Sequence, residues 1–405
     1  MRISRRHHAI IAACLAIGMS SAADAADVYQ WQSNVIIERP GADRVQAETA
    51  LATDSKGQVW LSFLDARYWF TATKLWIAFP RRVRLFMSRD GGKTFGVRPD
   101  LDSSGGDEAL AADHQGRVFA TYVHYSSGGG KSTQQIALSR ADSDEQPNTA
   151  CLPWDGTMKH DQSSVRIGAD ETIHVIGVNI AKGDELLYAR SIDGGKTCSA
   201  QHRLESIGEL PQIVETATGV LIAGVGGYYL SIDRGVTFTT KVTRKFADKL
   251  ARVAVSPDGR TVYVVGDSAT GGLLIHVSSD GGRTWRVSRV DHSPQAHARR
   301  YPAIHVDGRG RIHVVWMDGR SGFGALYHAY SDDRGVHFSA DTKISDQSFT
   351  FPANAPEPPP GTQDGTWIGD YLAVTSAADN VIVAWSDQRE GNSKSIVRIA
   401  LGHAR

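Results

Sequence analysis

Residues capable of acid–base chemistry recur just before short apolar runs that have the composition of β-strands. A tyrosine beside a glutamate can serve as nucleophile and base, and a histidine or tyrosine can remove a proton from carbon. The candidates for catalytic roles are Glu48, His160, Glu209, Tyr301 and Tyr371. The same strand starts also carry Asp107, Glu108, Asp161 and Asp370. These side chains predict a chemical site if the fold brings the strand starts together.

Arginines that could hold an anion follow an aspartate in three similar segments, Asp65-Ala66-Arg67, Asp318-Gly319-Arg320 and Asp387-Gln388-Arg389. Guanidinium groups that converge from several strands can bind a carboxylate through paired hydrogen bonds. The alternative is a local pair between each aspartate and its arginine, which would shape the loop instead. The predicted substrate-binding residues are Arg67, Arg300, Arg320, Arg389, His124 and Trp69.

Two insertions interrupt the otherwise regular spacing of the strands. Residues 66–85 are rich in aromatic residues and arginine, which suits an acidic glycan because rings stack on sugar faces and arginine binds carboxylates. A small packed flap or a partner-contact patch fits the same composition. Residues 348–367 are rich in proline and glycine and predict an extended loop or a lid.

A turn followed by a strand recurs seven times, and the number of copies predicts the number of structural units. Most copies carry glycine in the turn, as in Asp54-Ser55-Lys56-Gly57 and Asp113-His114-Gln115-Gly116, which is typical of a hairpin. The copies begin near Asp54, Asp113, Gly168, Thr216, Pro257, Val306 and Ser376. Their separation includes the period of a four-stranded propeller blade, with room for insertions.

A second repeat, Ser-x-Asp-x-Gly-x-Thr-aromatic, alternates with the first. Its five copies begin at Ser88, Ser191, Ser231, Ser278 and Ser331. This motif is the Asp-box, and through it essentially the whole mature chain resembles the sialidase superfamily. The resemblance implies an all-β fold, a β-propeller with Asp-box turns. The count of the first repeat predicts seven four-stranded blades, with six blades as the alternative.

The seventh blade ends before a box and lacks its last strand, so we expect the apolar segment from Tyr29 to Glu38 to complete it and close the ring. Cys151 and Cys198 fall at neighbouring outer positions of the second and third blades. They remain after export of the chain and predict a disulfide, with two buried thiols as the alternative.

The first residues have the features of an export signal, a basic start, a short apolar run and Ala23-Asp24-Ala25 as a cleavage site. We expect residues 1–25 to be the signal and residues 26–405 a single propeller domain, periplasmic or secreted, without a membrane span. The 44 basic and 44 acidic residues balance, so charge gives no reason to expect nucleic acid as a partner. Metal-ligand spacings such as Cys-x-x-Cys are missing, and we expect neither a metal nor a cofactor.

Three functions remain open at this stage. A sialidase-like glycoside hydrolase acting on acidic sugars is favoured, although the Arg-Ile-Pro motif of sialidases is replaced by Gln46-Ala47-Glu48. A uronate lyase is the second, because residues 159–164 resemble a segment of propeller polysaccharide lyases and His160 could act as its base. The third is a noncatalytic propeller that binds a glycan or a protein. The predicted partner is a carbohydrate, most simply an anionic glycan, and the chain is expected to be a monomer.

Overall fold

The structure is a computed structural model. It describes residues 28–41, 44–70, 75–128, 131–143, 151–153, 155–268, 272–294, 297, 299–349, 368–390 and 395–405. The predicted export signal lies outside these residues, as does most of the insertion at 348–367. Among the described residues, no helix is long and apolar enough to cross a membrane.

Seven antiparallel sheets follow one another along the chain, and each forms one blade. The short strands at the chain start belong to the last sheet, so the blades are numbered from the sheet that begins at Arg44. Blade one contains β3 (Arg44–Thr53), β4 (Val59–Phe70), β5 (Leu75–Ser88) and β6 (Gly96–Asp102). Blade two contains β7 (Gly105–Ala112), β8 (Val118–Gly128) and β9 (Lys131–Arg140). Blade three contains β10 (His160–Ile167), β11 (Ile173–Asn179), β12 (Glu185–Ser191) and β13 (Ser199–Leu204), with a short 3₁₀ helix at Ile180–Lys182.

The other blades have the same order from the axis outwards. Blade four contains β14 (Gln212–Thr216), β15 (Gly219–Gly224), β16 (Gly227–Ser231) and β17 (Val242–Thr243). Blade five contains β18 (Ala251–Val255), β19 (Val262–Gly266), β20 (Leu274–Ser278) and β21 (Arg286–Arg289). Blade six contains β22 (Arg299–Val306), β23 (Ile312–Asp318), β24 (Ala325–Ser331) and β25 (Thr342–Lys343). Blade seven contains β26 (Ala373–Ala377), β27 (Asn380–Asp387) and β28 (Ile396–Ala404), completed by β1 (Tyr29–Trp31) and β2 (Val35–Ile36).

The all-β fold of seven blades is therefore confirmed. The turn repeat marks the hairpin between the first two strands of each blade. In blade one, Asp54 accepts hydrogen bonds from the amides of Lys56 and Gln58, both at 2.9 Å, while Gly57 takes a φ of 74°. A carboxylate that holds turn amides favours this geometry locally, which explains why a short sequence pattern could count the blades.

The Ser-x-Asp turns join the outer strands and pack against the neighbouring blade. In blade one, Ser88 Oγ donates to Asp90 at 2.7 Å and accepts from the amide of Gly92 at 2.9 Å. In blade five the aromatic residue of the motif, Trp285, packs edge-on against Phe246 of blade four, with ring centroids 4.9 Å apart. The turns thus lock adjacent sheets together, and the apolar core lies between the blades.

The N-terminal strand closes the ring as predicted. Tyr29 pairs with Ala404 and Trp31 with Gly402 on β28, and Val35 pairs with Ile399 farther along the same strand. This pairing joins the two ends of the described chain and covers the open edge of blade seven. Blades two and three are also linked covalently, because Cys151 and Cys198 form a disulfide with Cα atoms 4.9 Å apart.

Candidate active site in the axial funnel

The start of the innermost strand has the same unusual backbone in most blades. A residue there adopts a left-handed φ near 50–60°, and in four blades it coincides with a break in the register of the strand pair. The residues are Glu48, Asp107, Gln162, Leu210 and Tyr301. Such bulges redirect a side chain out of the strand alternation and are common beside active sites. In these five blades the residue with positive φ leaves the alternation of side chains at the start of the innermost strand.

Blade seven uses glycine where other blades use a bulged side chain. Gly369 has a φ of 90°, and a Cβ there would lie 2.7 Å from the amide nitrogen of Glu48. The close approach requires glycine, since any side chain would push the two backbones apart. Because Asp370 and Tyr371 follow directly, this contact brings them beside Glu48, which is more than 300 residues away in sequence.

Carboxyl groups from four blades interact at this place. A side-chain hydrogen bond joins Asp107 and Asp161 and acts on the pKa values of both. Burial and the neighbouring charge of Asp161 raise the pKa of Asp107 well above its usual range, and burial raises the pKa of Asp161 to about 6. Two acidic groups in contact cannot both ionise cheaply, so one proton remains on the pair near neutral pH.

Glu48 and Tyr371 form the second part of the cluster. Burial raises the pKa of Glu48 well above its usual range, and the charges of Asp107, Asp370 and Glu108 raise it further. Burial likewise raises the pKa of Tyr371, with Glu48 as the next largest cause. Both groups therefore hold their protons near neutral pH.

Two arginines partly offset the acidic charge. Arg81 lowers the pKa values of Glu48, Asp107 and Asp161, and its guanidinium lies over the ring of Tyr125 at 5.1 Å. Arg252 lies over the ring of Tyr371 at 5.5 Å and donates to the carbonyl of Leu210 at 3.3 Å. Both arginines contact aromatic faces, which attract cations through the ring quadrupole.

A cavity of about 910 Å³ continues from this cluster along the axis of the ring. Glu108, Gln162, Arg252 and Tyr371 line the end nearest the cluster. Arg166 and His305 line the cavity farther along the inner strands, where burial lowers the pKa of His305 to about 3. We call the cluster and the adjoining end of the cavity the axial funnel. A polar concave site with several perturbed carboxyl groups is a strong candidate for chemistry.

Comparison with known proteins supports the architecture. A lectin, BP39L from Burkholderia pseudomallei, has a TM-score of 0.60 at 12% identity, covering 88% of this chain and 96% of the lectin. A protein of unknown function from Dyadobacter fermentans has a TM-score of 0.55 at 12% identity, covering 94% of this chain and all of the other. The shared property is the propeller fold. The NanB sialidase of Streptococcus pneumoniae is more distant, with a TM-score of 0.48 at 13% identity over 92% of this chain and 70% of the sialidase. No protein-family model and no curated protein matches the chain.

Of the five predicted catalytic residues, the structure brings Glu48 and Tyr371 together in the funnel. Tyr301 occupies the bulge of blade six, with its ring packed partly against the apolar core between blades six and seven. Glu209 is exposed next to the bulge at Leu210. Neither Tyr301 nor Glu209 is among the main influences on the pKa values of the funnel carboxyls.

His160 has a structural position instead of a place in the funnel. Its Nδ1 accepts a hydrogen bond from the amide of Ile136 at 3.2 Å, and its Nε2 lies 2.9 Å from the carbonyl of Pro153. The ring is fully buried, and burial lowers its pKa. A neutral imidazole with both nitrogens engaged cannot take a proton from a substrate, so His160 fixes the segment after Cys151 onto blade three.

Arg320 and Arg389 pair locally, as the alternative interpretation of the Asp-x-Arg motif expected. Arg320 contacts Asp318 at 2.7 Å and Asp341 at 2.8 Å. Arg389 contacts Asp387 at 2.7 Å and also pairs with Asp346. In both blades the aspartate additionally accepts from a tryptophan two residues earlier, at 2.9 Å in each case. These arginines shape the strand ends and are not available together as an anion clamp.

The remaining predicted binding residues are spread over several blades. Arg67 is exposed on β4 opposite Arg44, which takes Asp65 as its partner at 2.6 Å. Arg300 is half-buried beside the bulge of blade six. His124 Nδ1 lies 2.6 Å from the buried carboxylate of Asp102. Trp69 lies on β4, paired with Trp76, and its side chain is outside the described part of the chain.

Sequence reasoning missed Arg252 and left Asp107 and Asp161 outside the selected catalytic set. The two aspartates stand at the same strand starts as the chosen residues, so their positions were a usable signal. Arg252 stands in an ordinary strand sequence, Ala251-Arg252-Val253, and nothing nearby distinguishes it from a surface residue. Only the axial placement of β18 reveals it.

The raised pKa of Asp161 predicts that the cluster costs stability at neutral pH. Its folded-state pKa of about 6 exceeds its ordinary value of 3.8, so stability is greatest below pH 3.8 and falls as the pH rises through 6. We expect Asp161→Asn to raise the free energy of unfolding at pH ~7.5 by about 1–2 kcal/mol, after allowance for solvent screening. Urea unfolding at pH ~7.5 and ~4.5 measures this, and the gain should shrink at the lower pH. A loss of stability at neutral pH would show that the Asp161 carboxylate makes net favourable contacts.

Proposed function

We propose that the protein is a glycoside hydrolase whose reaction takes place in the axial funnel. The observation that carries the proposal is the Asp107–Asp161 pair, whose pKa values are raised and whose chain neighbours Glu108 and Gln162 line the axial cavity. Cleavage of a glycosidic bond needs a carboxylic acid that stays protonated until it donates to the leaving oxygen. The shared proton supplies such an acid, with Asp107 as donor and Asp161 as the group that retains the proton on it.

Tyr371 and Glu48 supply the second function of the reaction. In the proposed mechanism, Glu48 takes the phenolic proton while the Tyr371 oxygen attacks the anomeric carbon, as the resemblance to sialidases suggests. Water then releases the sugar with Asp107, now ionised, acting as base. Because the pKa of Glu48 is raised, Glu48 must first ionise, and the rate should rise with pH until Asp107 loses its own proton.

The uronate lyase receives less support, because the engaged nitrogens of His160 remove its proposed base. Arg320 and Arg389 were expected to bind the carboxylate of an acidic sugar. Because they pair with aspartates of their own blades, they no longer support a specificity for acidic sugars. The proposal keeps the expectation of an exported monomer, with residues 1–25 as signal and 26–405 as one domain, acting on glycans in the periplasm or outside the cell.

The test is hydrolysis of a panel of aryl glycosides by the protein purified after expression of the full chain. The panel contains neutral, acidic and amino sugars, together with uronate polymers. Released aryl alcohol and new reducing ends report hydrolysis, whereas ultraviolet absorbance of an unsaturated product reports lyase activity. Glu205→Gln is the matched control, because it neutralises an exposed carboxylate directly after the outer strand β13 and should keep full activity. Binding of sugars without turnover of any substrate would replace the proposal with the noncatalytic function.

A further inference from the structure

The funnel contains a buried carboxyl group that the proposed mechanism does not use. Glu108 is only 2% exposed, and apart from a hydrogen bond with its own backbone amide its carboxyl group has no hydrogen-bond partner among the described residues. Burial raises its pKa well above the usual range, which favours the neutral form. Buried polar groups are nearly always fully paired, so a buried carboxyl with so few partners is suited to bind a ligand.

The surroundings of Glu108 favour a cation as that ligand. Glu108 lines the cavity together with Tyr371 and acts on the pKa values of both Tyr371 and Glu48. The charge of Asp107 raises the pKa of Glu108, and Asp107, Asp370 and Glu108 all raise the pKa of Glu48. Arg81 and Arg252 are the cations that lower pKa values in this cluster. A bound cation would pair with several carboxylates at once, but a carboxylate on the ligand would meet like charge.

Metal ions fit this site poorly. Among the described residues, no group of three or more His, Cys, Asp or Glu side chains has the arrangement to hold a metal ion. An organic ammonium has less demanding geometry, because it can donate hydrogen bonds in several directions and also lie against an aromatic face. The rings of Tyr371 and Tyr125 already hold the guanidinium groups of Arg252 and Arg81 at 5.5 and 5.1 Å, so the ammonium would depend on hydrogen bonds to carboxylates.

We propose that the funnel recognises the protonated amino group of an amino sugar, with Glu108 as its carboxylate partner. The inference rests on the proposed glycoside hydrolase function, and it specifies the substrate as a glycan that contains 2-amino-2-deoxyhexose units. It reverses the charge expected from the sequence, which favoured an anionic glycan. Binding of the ammonium ionises Glu108, and its proton passes to the solvent.

Calorimetry tests the binding step independently of catalysis. D-Glucosamine is titrated into the full protein at pH ~6 in two buffers with different ionisation enthalpies, and D-glucose is the uncharged comparison. We expect tighter binding of glucosamine and release of close to one proton on binding. Glu108→Gln should remove the proton release and weaken glucosamine binding by about 10- to 150-fold, the range of a hydrogen bond to a charged group. Glu205→Gln, at an exposed carboxylate directly after β13, should keep both properties.

Hydrolysis of matched substrates provides the second readout. The ratio of kcat/KM for an aryl glucosaminide to that for the corresponding glucoside should exceed ten. Glu108→Gln should raise the KM for the glucosaminide and so reduce this ratio by at least the factor by which glucosamine binding weakens in calorimetry. Equal binding of glucosamine and glucose, or an unchanged ratio in the variant, would overturn the inference. If glycosides are hydrolysed without preference for the amine, the hydrolase stands and the ammonium site fails. If glucosamine binds with proton release but no glycoside is cleaved, the site stands and the hydrolase fails.

Discussion

An Asp107→Asn variant is expected to lose hydrolytic activity by about 10²- to 10⁴-fold in kcat, the usual contribution of a general acid. The amide has nearly the shape of the carboxyl group but cannot donate the proton that the leaving oxygen needs. Steady-state kinetics on the best aryl glycoside measures the loss. Substrates whose aryl group leaves without protonation should suffer much less, because they do not depend on the acid.

The partner residue provides a control on this interpretation. Asp161→Asn removes the group that retains the proton on Asp107, so we expect a smaller loss and a downward shift of the alkaline limb of the pH–rate profile. Because the two carboxyls act as one unit, the double variant should cost little more than Asp107→Asn alone. Additive losses, or a full loss on activated and unactivated substrates alike, would argue that Asp107 only maintains the shape of the funnel.

Trp31→Ala is expected to cost about 2–4 kcal/mol of unfolding free energy, somewhat less than a fully buried large-to-small replacement because Trp31 is half-buried. Its ring lies against the backbone of Gly402 on β28 and packs edge-on against His328 of blade six, with ring centroids 5.0 Å apart. The ring of Tyr29 also packs against His328, at 5.6 Å. The two residues therefore anchor the strand that closes the propeller.

Chemical denaturation of Trp31→Ala measures this effect, with Val35→Ala as the matched control. Val35 belongs to the same N-terminal segment and pairs with the same strand, but its side chain is 52% exposed. We expect the control to change stability by less than about 0.5 kcal/mol, as for other surface substitutions. Similar stability of both variants would indicate that backbone pairing alone holds the ring closed.

The repeating parts of the fold were predictable because each is specified locally. Turns such as Asp54 to Gln58 satisfy their own amides with a neighbouring carboxylate, and the Ser-x-Asp turns do the same with residues only two to four positions apart. Such patterns can be recognised in a sequence because their hydrogen bonds do not depend on the surrounding fold. The last strand of blade seven could be predicted too. The sheet at the C-terminal end of the chain lacks a strand, and the apolar segment at the N-terminal end has no sheet of its own, so the two are expected to pair.

The site was predicted only in part, because function depends on which strand starts meet. Glu48 and Tyr371 lie close together in the funnel, whereas His160 at an equivalent strand start is engaged by Ile136 and Pro153 instead. Residue type and spacing are the same kind of signal in both cases. The difference lies in the segment after Cys151, where the carbonyl of Pro153 lies 2.9 Å from Nε2 of His160.

The sequence by itself determined the architecture of this protein, a closed ring of seven sheets with its chemically capable residues at the starts of the inner strands. Tertiary structure alone decided which of them share a site and what charge that site carries. Contacts such as Gly369 against Glu48, or the hydrogen bond between Asp107 and Asp161, join residues of different blades. Ionisation of a carboxyl group depends on its burial and on neighbours within a few ångströms, and both arise only when the ring has closed.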